Sequence, residues 1–270
     1  MRKIVLSCAL AAQVLYPVAA QAGAKDFALQ GYALPVDKPV TIALMRPDVS
    51  VGELQGGGLP QPNADWTNQA REQIAKALKA ELGGRKIEFV SMEERLAASA
   101  PADPGAAPGG SAAADTVEQY RGLHTAVIDS IMAHQYNTPG RGGKLPTKVN
   151  NFAYTMGPGT AELGKVSGAN YGLFVMTYDQ FASASRKAMQ VAGALGCLIG
   201  VCVLVSGGIH VSYVSLVELE TGNVVWFNLL RGSKGDVREE AGARDMVKAI
   251  MTRMPARPGE RITVAKTARR

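Results

Sequence analysis

Residues 171–181 read YGLFVMTYDQF, and residues 211–230 read VSYVSLVELETGNVVWFNLL. The first is a nearly continuous run of β-formers, the pattern of a central strand. The second divides at Thr221-Gly222-Asn223, a turn triplet between two apolar runs, and reads as a β-hairpin over residues 211–220 and 224–230. Apolar residues occupy both faces of both hairpin strands, so the sheet they build needs helices on each side.

Upstream, VTIALM at 40–45 is a short strand stopped by Arg46-Pro47, and residues 87–90 form another. Residues 48–64 are rich in Gly, Pro and Asn and are expected to be loop. Asp65 is the expected N-cap of a helix that presents Trp66, Ala70, Ile74, Ala77, Leu78 and Leu82 on one face and ends at Gly83-Gly84. A second amphipathic helix presents Tyr120, Leu123, Val127, Ile128, Ile131 and Met132. Gly157-Pro158-Gly159 introduces a short helix over about 160–166. A last helix, starting near Asp236, turns Ala243, Met246, Val247, Ile250 and Met254 inward and stops at Pro255. The order strand, helix, strand, helices, strand, hairpin, helix predicts an α/β (α+β) layered domain, with a mixed, mostly antiparallel sheet covered by helices.

The N-terminus has the three parts of a secretory leader. Arg2 and Lys3 are basic, residues 4–18 carry no charge, and Ala20-Gln21-Ala22 is a small-residue cleavage signal before Gly23. Residues 1–22 are therefore expected to be a cleaved signal peptide and the mature protein to be periplasmic. Val5-Leu6-Ser7-Cys8 loosely resembles a lipidation box, but it lies too early, with hardly any apolar residue before it. Residues 23–254 are expected to form one domain and 255–270 a basic disordered tail. Residues 97–115, AASAPADPGAAPGGSAAAD, are of low complexity and read as a flexible insertion. The net charge of +6 resides largely in the leader and the tail, and the rest is about neutral. That argues against a nucleic-acid-binding domain.

Chemistry-bearing motifs are sparse. There is no G-x-S-x-G, H-E-x-x-H or G-x-x-x-x-G-K-[ST]. His124 and His134 lie ten residues apart, on different faces of one helix, and His210 stands at a strand start beside Gly207-Gly208. The pairs Glu93-Glu94 and Glu239-Glu240 are adjacent in sequence and do not face each other on a helix. No catalytic residue, cofactor or metal site is assigned on this basis.

One segment is unusual. Residues 188–217 contain no Asp, Glu, Lys or Arg, and within them 191–205, VAGALGCLIGVCVLV, is wholly aliphatic, Gly or Cys. This apolar insert, 188–210, interrupts the connection between two strands. Three readings stand: buried core, a protein interface, or contact with a membrane. The interface reading would use Val191, Leu195, Leu198, Ile199, Val201, Val203, Leu204 and Val205. Cys197 and Cys202 are five residues apart, too far along a continuous helix for a bridge and close enough if the chain turns at Gly200. A disulfide and two free thiols both remain open.

The C-terminal half resembles the curli-secretion lipoprotein (CsgG-like) superfamily, together with related small periplasmic lipoproteins and the N-terminal domain of the Tol-system propeller protein. The resemblance rests on Ala169-Asn170-Tyr171-Gly172-Leu173-Phe174-Val175, on Tyr213-Val214-Ser215-Leu216-Val217-Glu218-Leu219-Glu220-Thr221-Gly222-Asn223-Val224-Val225-Trp226, and on the final helix. It covers about 120–255, with a weaker echo at Val40 and at the Trp66 helix. It implies a layered α/β domain and a non-catalytic envelope role, because several members assemble into rings at the outer membrane. The chain departs from that pattern at two points: no cysteine stands where a lipid anchor needs one, and residues 191–205 do not alternate as barrel hairpins do. The expected function is a non-catalytic, outer-membrane-associated envelope protein acting through protein partners or a homo-oligomer, with peripheral membrane contact and no nucleic acid. The alternative is a periplasmic hydrolase or binding protein for cell-wall or surface polysaccharide.

Overall fold

The computed structural model describes residues 23–85, 87–99, 112–136, 145–148, 151–198, 200, 205–232 and 234–256. The expected leader at 1–22, most of the insertion at 97–115 and the tail from residue 257 lie outside them.

The sheet is built on β6 (Tyr171–Ala182), β7 (Gly208–Glu218) and β8 (Val224–Arg231), which pair antiparallel in that order, as the sequence expects. β1 (Gly23–Ala28) pairs antiparallel with β8 and closes one edge. On the other side β2 (Thr41–Leu44) and β3 (Asp48–Leu54) both run parallel to β6, one after the other. Leu44 lies opposite Leu173 and Asp48 opposite Met176, so this stretch holds one residue more than β6 does. The surplus falls at Arg46-Pro47, where proline cannot donate to the ladder, and the edge bulges there. β5 (Glu88–Ser91) pairs parallel with β2, and β4 (Pro60–Pro62) pairs antiparallel with β3. The result is the expected mixed α/β layering.

Among the described residues six α-helices complete it: α1 (Ala64–Gly84), α2 (Met92–Ala98), α3 (Ala112–Gln135), α4 (Ala161–Ser167), α5 (Ala184–Leu198) and α6 (Glu240–Met251). Because side chains alternate across a strand, the two sheet faces feed two cores. Ile42, Leu173, Leu216 and Trp226 pack under α1 and α6 with Ile74, Leu78, Val247 and Ile250. Phe174, Val217, Phe227 and Leu229 pack on the other face with Val117, Ile128 and Ile131 of α3 and Leu163 of α4. The neighbours Trp226 and Phe227 thus serve opposite cores, and both are fully buried.

Four expectations need correction. Residues 48–64 are mostly strand, not loop: Val49 and Val51 alternate into the core while the prolines of β4 sit at the outer edge. The N-cap of α1 is Asn63, whose Oδ1 accepts the Trp66 amide at 3.0 Å, so Asp65 lies in the first turn. The buried face of α3 is Val117, His124, Ile128, Ile131 and Gln135, a phase that leaves Leu123 at 39% exposure. α6 also starts later than Asp236, which lies in the turn before it.

Two local devices hold the frame. Asn170 Oδ1 accepts the Thr41 amide at 2.8 Å and its Nδ2 donates to the Pro39 carbonyl at 2.7 Å, tying the start of β2 to the start of β6. At the hairpin turn Gly222 has φ +74° and donates to the Glu218 carbonyl at 2.8 Å. The 154–157 segment runs against this turn, with the Met156 amide donating to the Gly222 carbonyl at 2.8 Å. A Cβ at residue 222 would stand 2.1 Å from the Gly157 carbonyl oxygen. Gly222→Val therefore combines a strained backbone with a clash, and we expect urea denaturation to show a loss of about 2–3 kcal/mol or more. A change below about 0.5 kcal/mol, the size of an ordinary surface substitution, would contradict this account of the turn.

Candidate functional site

Three places concentrate unusual chemistry: the α5 projection, an aromatic and charged cluster before α6, and a cavity under α3.

α5 connects β6 to β7. Its base is polar and well anchored. Ser183 Oγ accepts the Arg186 amide at 3.3 Å, and Arg186 is buried, donating to the Ser206 carbonyl at 2.8 Å, to Ser206 Oγ at 2.7 Å and to the Gln55 carbonyl at 3.2 Å. Gln190 Nε2 reaches the Val205 carbonyl at 3.1 Å. Beyond that turn the helix emerges. Ala188, Val191, Ala192 and Leu195, spaced i, i+3, i+4, i+7 along one stripe, are all exposed, Val191 at 60% and Leu195 at 59%. Met189 is exposed as well. The buried-core reading does not fit this part: both sheet faces are already covered, and among the described residues nothing closes over the stripe.

The remaining interface candidates divide. Leu198 ends α5, and Val205 is half-buried beside Gln190. Ile199, Val201, Val203 and Leu204 lie outside the described residues, as does Cys202. Cys197 is disulfide-bonded. Gly200 has φ +87° and its amide donates to the Cys197 carbonyl at 3.3 Å, the turn on which a Cys197–Cys202 bridge depends. No helix among the described residues is long and apolar enough to cross a membrane.

The second cluster joins α1, β6, β7 and the turn before α6. The Arg238 guanidinium lies over the rings of Trp66, at 4.2 Å, and Phe181, at 4.5 Å. It also grips Asp236 through a forked pair, the shorter contact 2.5 Å. That hydrogen bonding holds the Asp236 carboxyl below its ordinary range. Buried Asp179 pairs with His210 Nδ1, and the His210 ring stands edge-on to Phe181 at 5.5 Å. Every member has a partner here, and the arrangement fixes the entry to α6.

The third place is a cavity of about 250 Å³ between α3 and the sheet, bordered by Arg46 and Asp48. His124 forms part of its wall. Nε2 of His124 is 2.5 Å from Ser215 Oγ, and the imidazole stacks on Phe174 with centroids 4.1 Å apart. Burial, helped by the charge of Arg121, pushes the His124 imidazole down to about 3. The pair looks like the start of a hydrolytic triad, but its chemistry is poor for that. Ser215 is fully buried, among the described residues no carboxylate bonds His124, and a base this weak takes a proton reluctantly at neutral pH. The sequence signal that could have found the pair is a polar residue in each element's apolar face, His124 among the α3 core positions and Ser215 in the middle of β7. Among the described residues no three His, Cys, Asp or Glu side chains gather to hold a metal ion.

The sign of the His124 effect follows from linkage. The folded state binds this proton only near pH 3, whereas the unfolded chain binds it near 6.5, so stability is full above pH 6.5 and is lost as pH falls toward 3. We expect the His124 contribution to reach at most about 1.4 kcal/mol per pH unit in that window. His124→Gln should flatten the slope, read from denaturation midpoints between pH 4 and 7. An imidazole that titrates near 6.5 in the folded protein by NMR would contradict the burial argument.

No family model matches the chain, and no curated protein matches it. Among solved structures it is similar to the PelC dodecamer from Paraburkholderia phytofirmans, at 10% identity and a TM-score of 0.34, covering 85% of this chain and 96% of that one. A single-substitution variant of the same dodecamer gives the same identity and TM-score, with 97% of that chain covered.

Proposed function

We propose that the protein is a non-catalytic component of the cell envelope that works by assembling through α5 with further copies of itself. The observation that carries this reading is the exposed Ala188-Val191-Ala192-Leu195 stripe on a helix fastened to the sheet by a polar base. Fully burying a Val or Leu is worth about 1.5–3 kcal/mol, and an uncovered helical stripe of this kind is a docking face. A second copy supplies the matching surface. The stripe alternates small and large residues, so two α5 helices brought together can interdigitate. Residues 188–217 carry no charge, which leaves no like-charge repulsion between two copies along this seam. Envelope location follows from the leader-like residues 1–22 and is consistent with a disulfide at Cys197, a bond of oxidising compartments.

The test replaces residues 191–205 with a short Gly/Ser linker in the mature chain. The anchor of Arg186 to Ser206 lies outside the replaced stretch. We expect this protein to keep its near-UV and far-UV circular dichroism while light scattering behind size exclusion shows a monomer in place of an oligomer. Leu195→Glu should weaken the same association at least about tenfold, since a charge replaces a buried apolar contact. Unfolding of the linker variant would make the segment core, and unchanged association in both variants would overturn the assembly reading.

A further inference from the structure

The cavity under α3 carries a second inference, independent of assembly. Its walls are chemically mixed. Arg46 and Asp48 flank the bulge on one side, and Arg121 and Glu118 stand on α3 opposite, so guanidinium donors and carboxylate acceptors balance in charge. Arg121 is held by Glu118 at 2.7 Å, while Arg46 has only a loose contact with Glu93 at 3.7 Å. On the sheet side the apolar contribution comes from Phe174 and Met176, which share the α3 face.

Two polar residues that line this cavity offer it groups with no protein partner among the described residues. Tyr213 is only 7% exposed and lines the cavity, yet among the described residues its hydroxyl makes no hydrogen bond. His124 is 5% exposed and spends Nε2 on Ser215; among the described residues its Nδ1 has no hydrogen-bond partner. Both residues line the cavity, where the polar groups of a ligand can reach them.

We propose that this cavity binds an uncharged, hydroxyl-rich ligand, one unit of a saccharide. Each hydroxyl of a sugar both donates and accepts. It therefore pairs with Arg46 or Arg121 on one side and with Asp48 or Glu118 on the other, and it satisfies the bifunctional Tyr213 hydroxyl and neutral imidazole. The apolar C–H face of the sugar ring rests on Phe174 and Met176. An anion would meet Asp48 and Glu118, and a cation would meet Arg46 and Arg121; the balanced lining disfavours both. A volume of about 250 Å³ lies just below the ordinary range of small-molecule pockets, a size for one sugar unit and small for larger ligands.

Gly122 gives a clean test. It sits in α3 at the cavity wall, and a Cβ added there meets no atom within 4 Å. Gly122→Leu therefore fills the cavity while improving helix propensity. Backbone NMR spectra of the full mature chain would be titrated separately with glucose, N-acetylglucosamine, sodium phosphate and sodium acetate. We expect at least one of the two sugars to shift resonances of α3 and of β6 and β7 around Phe174 and Tyr213. Tyr213→Phe, which removes only the hydroxyl, should weaken that binding roughly fivefold to tenfold, and Gly122→Leu should abolish it with the fold retained. The proposal is overturned if neither sugar shifts these residues, if phosphate or acetate binds there and the sugars do not, or if Gly122→Leu leaves the binding unchanged.

Discussion

Everything in this structure depends on β6, β7 and β8 being apolar on both faces. A strand with one wet face can end a fold; a strand with two dry faces needs a layer above and a layer below. Trp226 and Phe227, successive and both fully buried, state the demand most sharply. α1 and α6 answer it on one side, and α3 with α4 answers it on the other. The parallel edge of β2 and β3 and the antiparallel edge of β1 widen the floor on which those helices rest.

That same constraint explains the exposure of α5. Once both faces are covered, the connection between β6 and β7 has no unfilled core to enter. Its first turns remain tied down by Arg186, Ser183 and Gln190, all through hydrogen bonds to the chain around them. The apolar stripe starts at Ala188, within the anchored turns, and runs past the last of those bonds to Leu195. Val191 and Leu195 are therefore left on the surface, and the proposed assembly rests on that exposure.

The legible part of the fold was the part governed by continuous periodicity. β6, the Thr221-Gly222-Asn223 hairpin, α1 and the inward face of α6 are all carried by runs long enough to show a period of 2 or 3.6. β3 was hidden because DVSVGEL alternates only briefly and is followed by Gly and Pro, whose composition outweighs Val49 and Val51. The phase of α3 was misread because Leu123 is apolar and exposed whereas His124 is polar and buried; periodicity of hydrophobic residues points to the wrong one. The site was legible only in part. Val191 and Leu195 could be named from the absence of charge, but whether they were core or surface depended on what the other helices had already covered. The cavity could not be seen at all, since Arg46, His124 and Tyr213 meet only through the register of β2, β3 and β7 with α3.

The most direct test of the account is amide hydrogen exchange across residues 184–198 of the mature protein at a series of concentrations. A helix of this length with one face in water opens readily on its own and is protected when that face is covered. The account predicts rapid exchange in α5 when the protein is dilute and strong protection when it is concentrated, with β6 and β7 unchanged throughout. Exchange in α5 that stays fast at every concentration, or that is already slow in the monomer, would contradict it.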